Sequence, residues 1–357
     1  MFQTDLGEDH SFISHAAGKL VPGAVPIFRR SRRSPTGLVL PAGPGGAHAG
    51  RPESPLPPRA GKVGPMEMRK PSRTAVNAAV WRAAHALLDD EPKVLVDPFA
   101  GALAGFASNE ALLTAHDAHP AARVPGMRAP FAVRGRYAED ELAAAVARGT
   151  EQYVILGAGL DSFAYRRPDL MHSLDVYEVD HPASQAWKQA RVAELDIEAP
   201  ARLRHVAVDF ERDTLTGALA TAGFRRGEGA FFSWIGVTVY LTREAVGRAL
   251  REVATLAAPG GELVLDFVMP ASALDTEAAA ALTAFSANAA RHGEPFLGFF
   301  TPAEMEDELR HAGFASVAHF GPAEAHERYL RGRTDGSRVP AFYRMAKATT
   351  GPAAAVG

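Results

Sequence analysis

Five short runs of β-branched and aromatic residues, QYVIL, SLDVYEV, RLRHVAV, GAFFSWI and GELVLDFV, alternate with segments of helical spacing such as PASQAWKQARVAEL and TREAVGRALREVATLA. Strand, helix, strand, helix predicts a parallel sheet with helices on both faces. Two further runs, ASVAHF and AFYRMAKA, follow TPAEMEDELRHAG, in which Thr301 reads as an N-cap, Pro302 as the first helical residue and Glu304 as the capping-box partner. The expected core is an α/β, doubly wound sheet of about seven strands, with an insertion at about 269–300.

Ahead of the first strand, SRTAVNAAVWRAAHALLDD sets Val76, Ala79, Val80, Ala83, Ala84, Leu87 and Leu88 at helical spacing. Helical patterns continue through DPFAGALAGF and RYAEDELAAAVARG, the last stopping at Gly149. Residues 66–150 therefore read as an N-terminal helical cap on a single domain, 66–350, whose remainder, 151–350, carries the sheet; 351–357 form a short tail. From Val21 to Pro65, 18 of 45 residues are Pro or Gly, and no apolar periodicity is visible, so 1–65 reads as a disordered tail. Met66 or Met68 is an alternative start. The arginine-rich stretch also has the composition of a targeting leader, against which stand Asp5, Glu8 and Asp9, and no continuous apolar segment of a secretory signal follows.

A formal charge of -3 lacks the basic excess needed to neutralise a nucleic-acid backbone, and no apolar run is long enough to span a bilayer. Cysteine is absent, which removes disulfides, thiolate metal sites and a cysteine nucleophile, and is compatible with a reducing cytoplasm. The histidines are scattered without ligand spacing, so no metal is expected. The reading is a cytoplasmic protein that meets a small molecule rather than nucleic acid or membrane.

In an open parallel sheet, ligands bind beyond the carboxyl ends of the strands. There the first strand runs into GAGLD, where Gly157 and Gly159 allow unusual dihedrals and close approach of a ligand, with Ala158 between them. A dinucleotide site favours GxGxxG, but the sixth position is Ser162. Asp161 beside the helix start would repel a pyrophosphate and suit a cofactor carrying positive charge. The second strand ends in VYEVDHP, placing Glu178 and Asp180 at the distance where a carboxylate holds ribose hydroxyls; one suffices, and the other is free to cap the helix at Pro182. The third strand ends in VAVDF, where Asp209 and Phe210 suit an adenine amine and ring, or a helix cap and a core residue. In the fourth, FFSWIGVTVYLTREAV, Trp234 and Tyr240 flank a glycine turn and Thr242 reads as a cap; Tyr240 either orients a substrate or packs. PGGELVLDF reads as a turn and strand with no chemistry.

Together YVILGAGLDSFAYR, VYEVDHP, VAVDF, FSWIGVTVYLTREAV, SRTA and RGRYAED resemble the S-adenosylmethionine-dependent methyltransferases related to leucine carboxyl methyltransferase, in their actinobacterial branch. The resemblance covers roughly Ser72 to Lys347. It implies the seven-stranded class I methyltransferase sheet with its last strand antiparallel, N-terminal helices closing over the substrate, and S-adenosylmethionine as cofactor. It implies further that Gly157, Gly159 and Asp161 border the methionine part, that Glu178 and Asp180 include the ribose ligand, and that Asp209 and Phe210 meet the adenine. Members acting on protein C-termini have a carboxylate near the position of Ile235, so this chain departs from them. Arg134, Arg136 and Tyr240 lie where such relatives grip a substrate carboxylate; the arginines could instead pair with Glu139, Asp140 and Glu141.

The implied reaction is in-line methyl transfer to an oxygen of a small-molecule acceptor. A carboxylate acceptor needs no base, whereas an alcohol or phenol would call on His181, Tyr240 or His292. Two other readings are a nicotinamide-dependent oxidoreductase, disfavoured by Asp161 and Ser162, and an S-adenosylmethionine-binding protein without catalysis.

Overall fold

A computed structural model describes residues 72–123, 126–209, 213–257, 259–291 and 293–351. The segments read above as tails, 1–65 and most of 351–357, lie outside the described residues, as do Phe210 and His292.

The alternating runs fold as one seven-stranded sheet: β1 (Gln152–Leu156), β2 (Asp175–Asp180), β3 (Leu203–Ala207), β4 (Ala230–Trp234), β5 (Glu262–Val268), β6 (Phe314–Phe320) and β7 (Tyr343–Thr350). Their spatial order is β3-β2-β1-β4-β5-β7-β6. The first five are parallel, and β7 inserts antiparallel between β5 and β6. This is the class I methyltransferase sheet.

Strand alternation sends successive residues to opposite faces. In β1, Val154 and Leu156 join one apolar core with Tyr177, Phe232 and Leu265, whereas Tyr153 and Ile155 join the other with Val176, Phe231 and Val264. Both cores lie under helices. Helix Arg243–Ala257 covers the first, capped by Thr242, whose Oγ1 accepts from Ala245 N at 3.2 Å. Helix Ala129–Ala147, nineteen residues long, covers the second and ends where Gly149 turns the chain at φ +101°. Thr301 and Glu304 form the expected capping box on helix Pro302–Ala312.

The front segment is helical, with a difference in detail. Helix Arg73–Leu88 forms as the spacing predicts, but DPFAGALAGF supplies only the single α-helical turn Ala100–Leu103, because Gly105 adopts φ +94° and ends it. Trp81 stacks on Phe131 with ring centroids 5.5 Å apart, joining the first helix to Ala129–Ala147. Between β5 and β6 stands a further helix, Thr276–Arg291. Among the described residues no helix is long and apolar enough to cross a membrane, and no group of three His, Asp or Glu side chains could hold a metal ion.

The register aligns Leu156 with Val179 on one side and with Trp234 on the other, so β1, β2 and β4 end level. The chain leaves β1 toward β2 and returns on the far side as β4. That switch of direction opens a crevice at the carboxyl edge, where the front helices and the segment after β5 close over it.

Candidate active site

The crevice is a cavity of about 500 Å³, within the range of small-molecule sites. Its floor is the GAGLD turn. Gly157 N and Ala158 N both donate to Val179 O, at 2.8 and 3.0 Å, so the chain folds back over the end of β2. Gly157 and Gly159 have φ of +67° and +49°, in the left-handed region that a Cβ disfavours. A Cβ on Gly157 would overlap Val237 Cγ2, and one on Gly159 would stand 3.2 Å from Ala75 Cβ on the front helix.

Asp180 closes one side of this turn. It accepts from Gly159 N through Oδ2 and from His181 N through Oδ1 at 2.6 Å, and burial holds its carboxyl above the usual range. The cap of helix Pro182–Glu194 is His181 instead, whose Nδ1 accepts from Ala183 N. Asp161 lines the cavity while its Oδ1 accepts from Phe163 N at 2.6 Å, one residue ahead of Ser162, the N-cap of the short helix Phe163–Arg166. Gly157, Ala158, Gly159, Asp161 and Asp180 are thereby brought together at one wall.

Glu178 is not among them. It is 1% exposed and its Oε2 receives Lys188 Nζ at 2.6 Å, with His205 Nδ1 3.4 Å away. The i, i+2 spacing points Glu178 and Asp180 to the same face, but the helix after β2 covers position 178 and delivers a lysine to it before the cavity begins. Nor does Asp209 line the cavity. Its N–H donates to Asp213 Oδ2 at 2.9 Å, and it follows β3, which pairs with β2 and not with β1. Phe210 falls outside the described residues.

The far end of the cavity belongs to other residues. Arg134 reaches it, lying over the Phe131 ring at 4.7 Å and against the backbone of Gly236, whose φ of +75° and missing Cβ leave room for the guanidinium. Arg136, two residues on, faces the opposite side of the same helix and pairs with Asp140 at 2.7 Å. Its assignment to the site is corrected accordingly. Arg136→Ala is expected to leave affinity for cofactor and acceptor within about twofold, as measured by titration and steady-state kinetics. Tyr240 lines the cavity, edge-on to Phe296 at 5.5 Å, and burial pushes its hydroxyl up to about 12.

Three cavity residues escape a reading of motifs. Asp266, on β5, is 3% exposed and accepts from Gly236 N at 2.7 Å and from the Tyr343 hydroxyl. A carboxylate in the middle of the apolar run LVLDFV is its signal, since a buried charge requires partners. Arg82 ties the front helix to the glycine turn through Leu160 O at 2.7 Å while pairing with Asp97 at 2.9 Å. Glu294, after helix Thr276–Arg291, accepts from Ser72 Oγ and Thr74 N at 2.8 and 3.0 Å, joining the two parts of the roof.

The walls fit a nucleoside bearing a cationic amino-acid arm. Two carboxylates border the glycine turn, and the Gly159 N–H that could otherwise meet a phosphate is already bound to Asp180. A sequence model of the family described as leucine carboxyl methyltransferase matches residues 75–254. The chain is 33% identical over 202 residues to YktD of Bacillus subtilis, a candidate S-adenosyl-L-methionine-dependent methyltransferase, covering 57% of this chain and 66% of the relative. A second relative, from Mycolicibacterium smegmatis and described in the same terms, is 33% identical over 218 residues, with coverages of 58% and 71%. In fold, the chain is similar to a crystal structure described as a candidate methyltransferase from Thermobifida fusca, with a TM-score of 0.52, 15% identity and coverages of 81% and 100%. With half of its length matched by the family model and this cavity at the expected sheet edge, the chain belongs to the S-adenosylmethionine-dependent methyltransferases of the leucine carboxyl methyltransferase family.

Proposed function

We propose that this protein transfers a methyl group to an oxygen of a small-molecule acceptor. The observation that carries the reading is Asp180: its carboxylate occupies the N–H of the glycine turn, which supports a ribose-bearing, phosphate-free ligand and disfavours the pyrophosphate of a nicotinamide dinucleotide. Bound S-adenosylmethionine would supply an electrophilic methyl group on a sulfonium. Gly157, Ala158, Gly159 and Asp161 would border its methionine arm, and Asp180 would accept from its ribose hydroxyls.

The chain's remaining work is positioning. Tyr240, with a hydroxyl that stays protonated at neutral pH, donates a hydrogen bond to the acceptor and cannot serve as its base. Arg134 sits beside it, and the roof joined by Glu294 would shield the reacting atoms from water. His181 has one ring nitrogen engaged as a helix cap. Ile235 leaves the fourth-strand turn apolar, which favours a small acceptor over a protein C-terminus.

The test is incubation with S-adenosylmethionine and separate pools of phenols, aromatic carboxylic acids and amines, read by mass spectrometry. Methyl ethers or esters with stoichiometric S-adenosylhomocysteine are expected. Methylation of amines alone would refute oxygen transfer.

A further inference from the structure

We propose that the acceptor is a phenol and that Asp266 takes its proton; this rests on the oxygen-methylating reading above. Register pairs Trp234 with Leu265, so Ile235 lies beside Asp266 across β4 and β5. There Gly236 N fixes Asp266 Oδ1 and the Tyr343 hydroxyl donates to Oδ2. Arg134 Nη1 stands 3.1 Å from that hydroxyl and 3.4 Å from Oδ2. Asp266, Tyr343, Arg134 and Tyr240 all border the cavity.

Charge decides between a phenol and a carboxylate. Among the described residues, each arginine lining the cavity is already paired: Arg134 with Asp266, Arg82 with Asp97 and Arg166 with Glu139. Among them a second carboxylate would find no uncompensated guanidinium. A neutral hydroxyl finds an acceptor oxygen, and its ring finds Phe285 and Phe296, themselves 5.7 Å apart and nearly edge-to-face. Burial raises the Asp266 carboxyl above its usual range in spite of Arg134, which makes it a stronger proton acceptor.

In the step, the phenolic O–H bond breaks and its proton passes to an Asp266 oxygen. The electron pair left on the phenolic oxygen forms the new bond to the methyl carbon, and the pair of the broken carbon–sulfur bond stays on sulfur. Asp266 then returns its proton to solvent.

The full-length protein and its Asp266→Asn variant are compared at about pH 8 on 4-methylphenol, which needs a base, and 4-nitrophenol, which is largely ionised there. Asp266→Asn is expected to lose roughly 100-fold or more in kcat on 4-methylphenol and far less on 4-nitrophenol. Tyr343→Phe, which keeps the charge but removes one hydrogen bond that orients the carboxylate, is expected to lose roughly tenfold on 4-methylphenol, and it serves if the first variant does not fold. Without cofactor, the absorbance of bound 4-nitrophenol should report the neutral phenol in the native protein and a larger phenolate fraction in Asp266→Asn. Equal losses on the two phenols, identical bound spectra, or methylation of benzoate but of no phenol would each overturn the proposal. Benzoate methylation would leave the oxygen-methylating reading intact, whereas failure to bind S-adenosylmethionine would remove that reading itself.

Discussion

Glu178→Ala is expected to destabilise the fold by about 3–5 kcal/mol, the cost of leaving a buried charge without its partner. The partner is Lys188, 1% exposed, whose Nζ donates to Glu178 Oε2 at 2.6 Å. Gln185 holds the same place by donating to the carbonyls of Glu178 and Val206 at 2.9 and 2.8 Å. Urea unfolding of the native and variant proteins measures the loss, and a difference below about 1 kcal/mol would show that Lys188 finds water or another carboxylate.

Acid gives the same pair a signature. Burial works to raise the Glu178 carboxyl, but Lys188 and His205 outweigh it, and the group ends below its ordinary value of 4.5. A carboxyl whose folded pKa is depressed contributes stability that is fully present above the unfolded value and is lost as pH falls through the folded one. The stability gap between the native protein and Glu178→Gln should therefore be constant above about pH 5 and shrink below the ordinary value of 4.5.

Gly157→Ala is the second large effect, of about 2–4 kcal/mol, combining left-handed backbone strain with overpacking against Val237. Its consequence reaches the ligand. Relief requires the turn to move from Val237, or Val237 to move into the cavity that both residues line. Either displaces the floor on which the cofactor would lie, so a loss of S-adenosylhomocysteine affinity of roughly tenfold or more should accompany the fall in stability. Gly149→Ala is the matched control: its φ of +101° carries strain, but no atom stands within 4 Å of its Cβ and it lies away from the cavity. Equal affinities in the two variants would refute the argument.

The sheet was legible because the strands are short apolar or alternating runs ended by glycine, proline or a charged residue, and the helices between them keep one apolar stripe. The antiparallel place of β7 came from resemblance, since AFYRMAKA carries no mark of direction. The cofactor wall was legible in part. Period two puts Glu178 and Asp180 on one face, yet only the packing of helix Pro182–Glu194 assigns Lys188 to the first and the cavity to the second. Arg134 and Arg136 differ by helical phase, which is visible in sequence, but which phase faces the sheet edge depends on how the helix docks. Asp266 carries no motif because its strand satisfies the apolar pattern on both sides. A carboxylate within such a run signals a functional or ion-paired position even where no motif surrounds it.

The most direct test of the account is calorimetric titration of the full-length protein with S-adenosylhomocysteine, S-adenosylmethionine and NAD, in parallel with Asp180→Ala. The predicted result is saturable binding of the two adenosyl ligands, none of NAD, and affinity weakened by roughly tenfold or more in the variant, which loses a charged hydrogen-bond acceptor. Binding of NAD without either adenosyl ligand, or an Asp180→Ala protein that binds them as tightly as the native one, would contradict it.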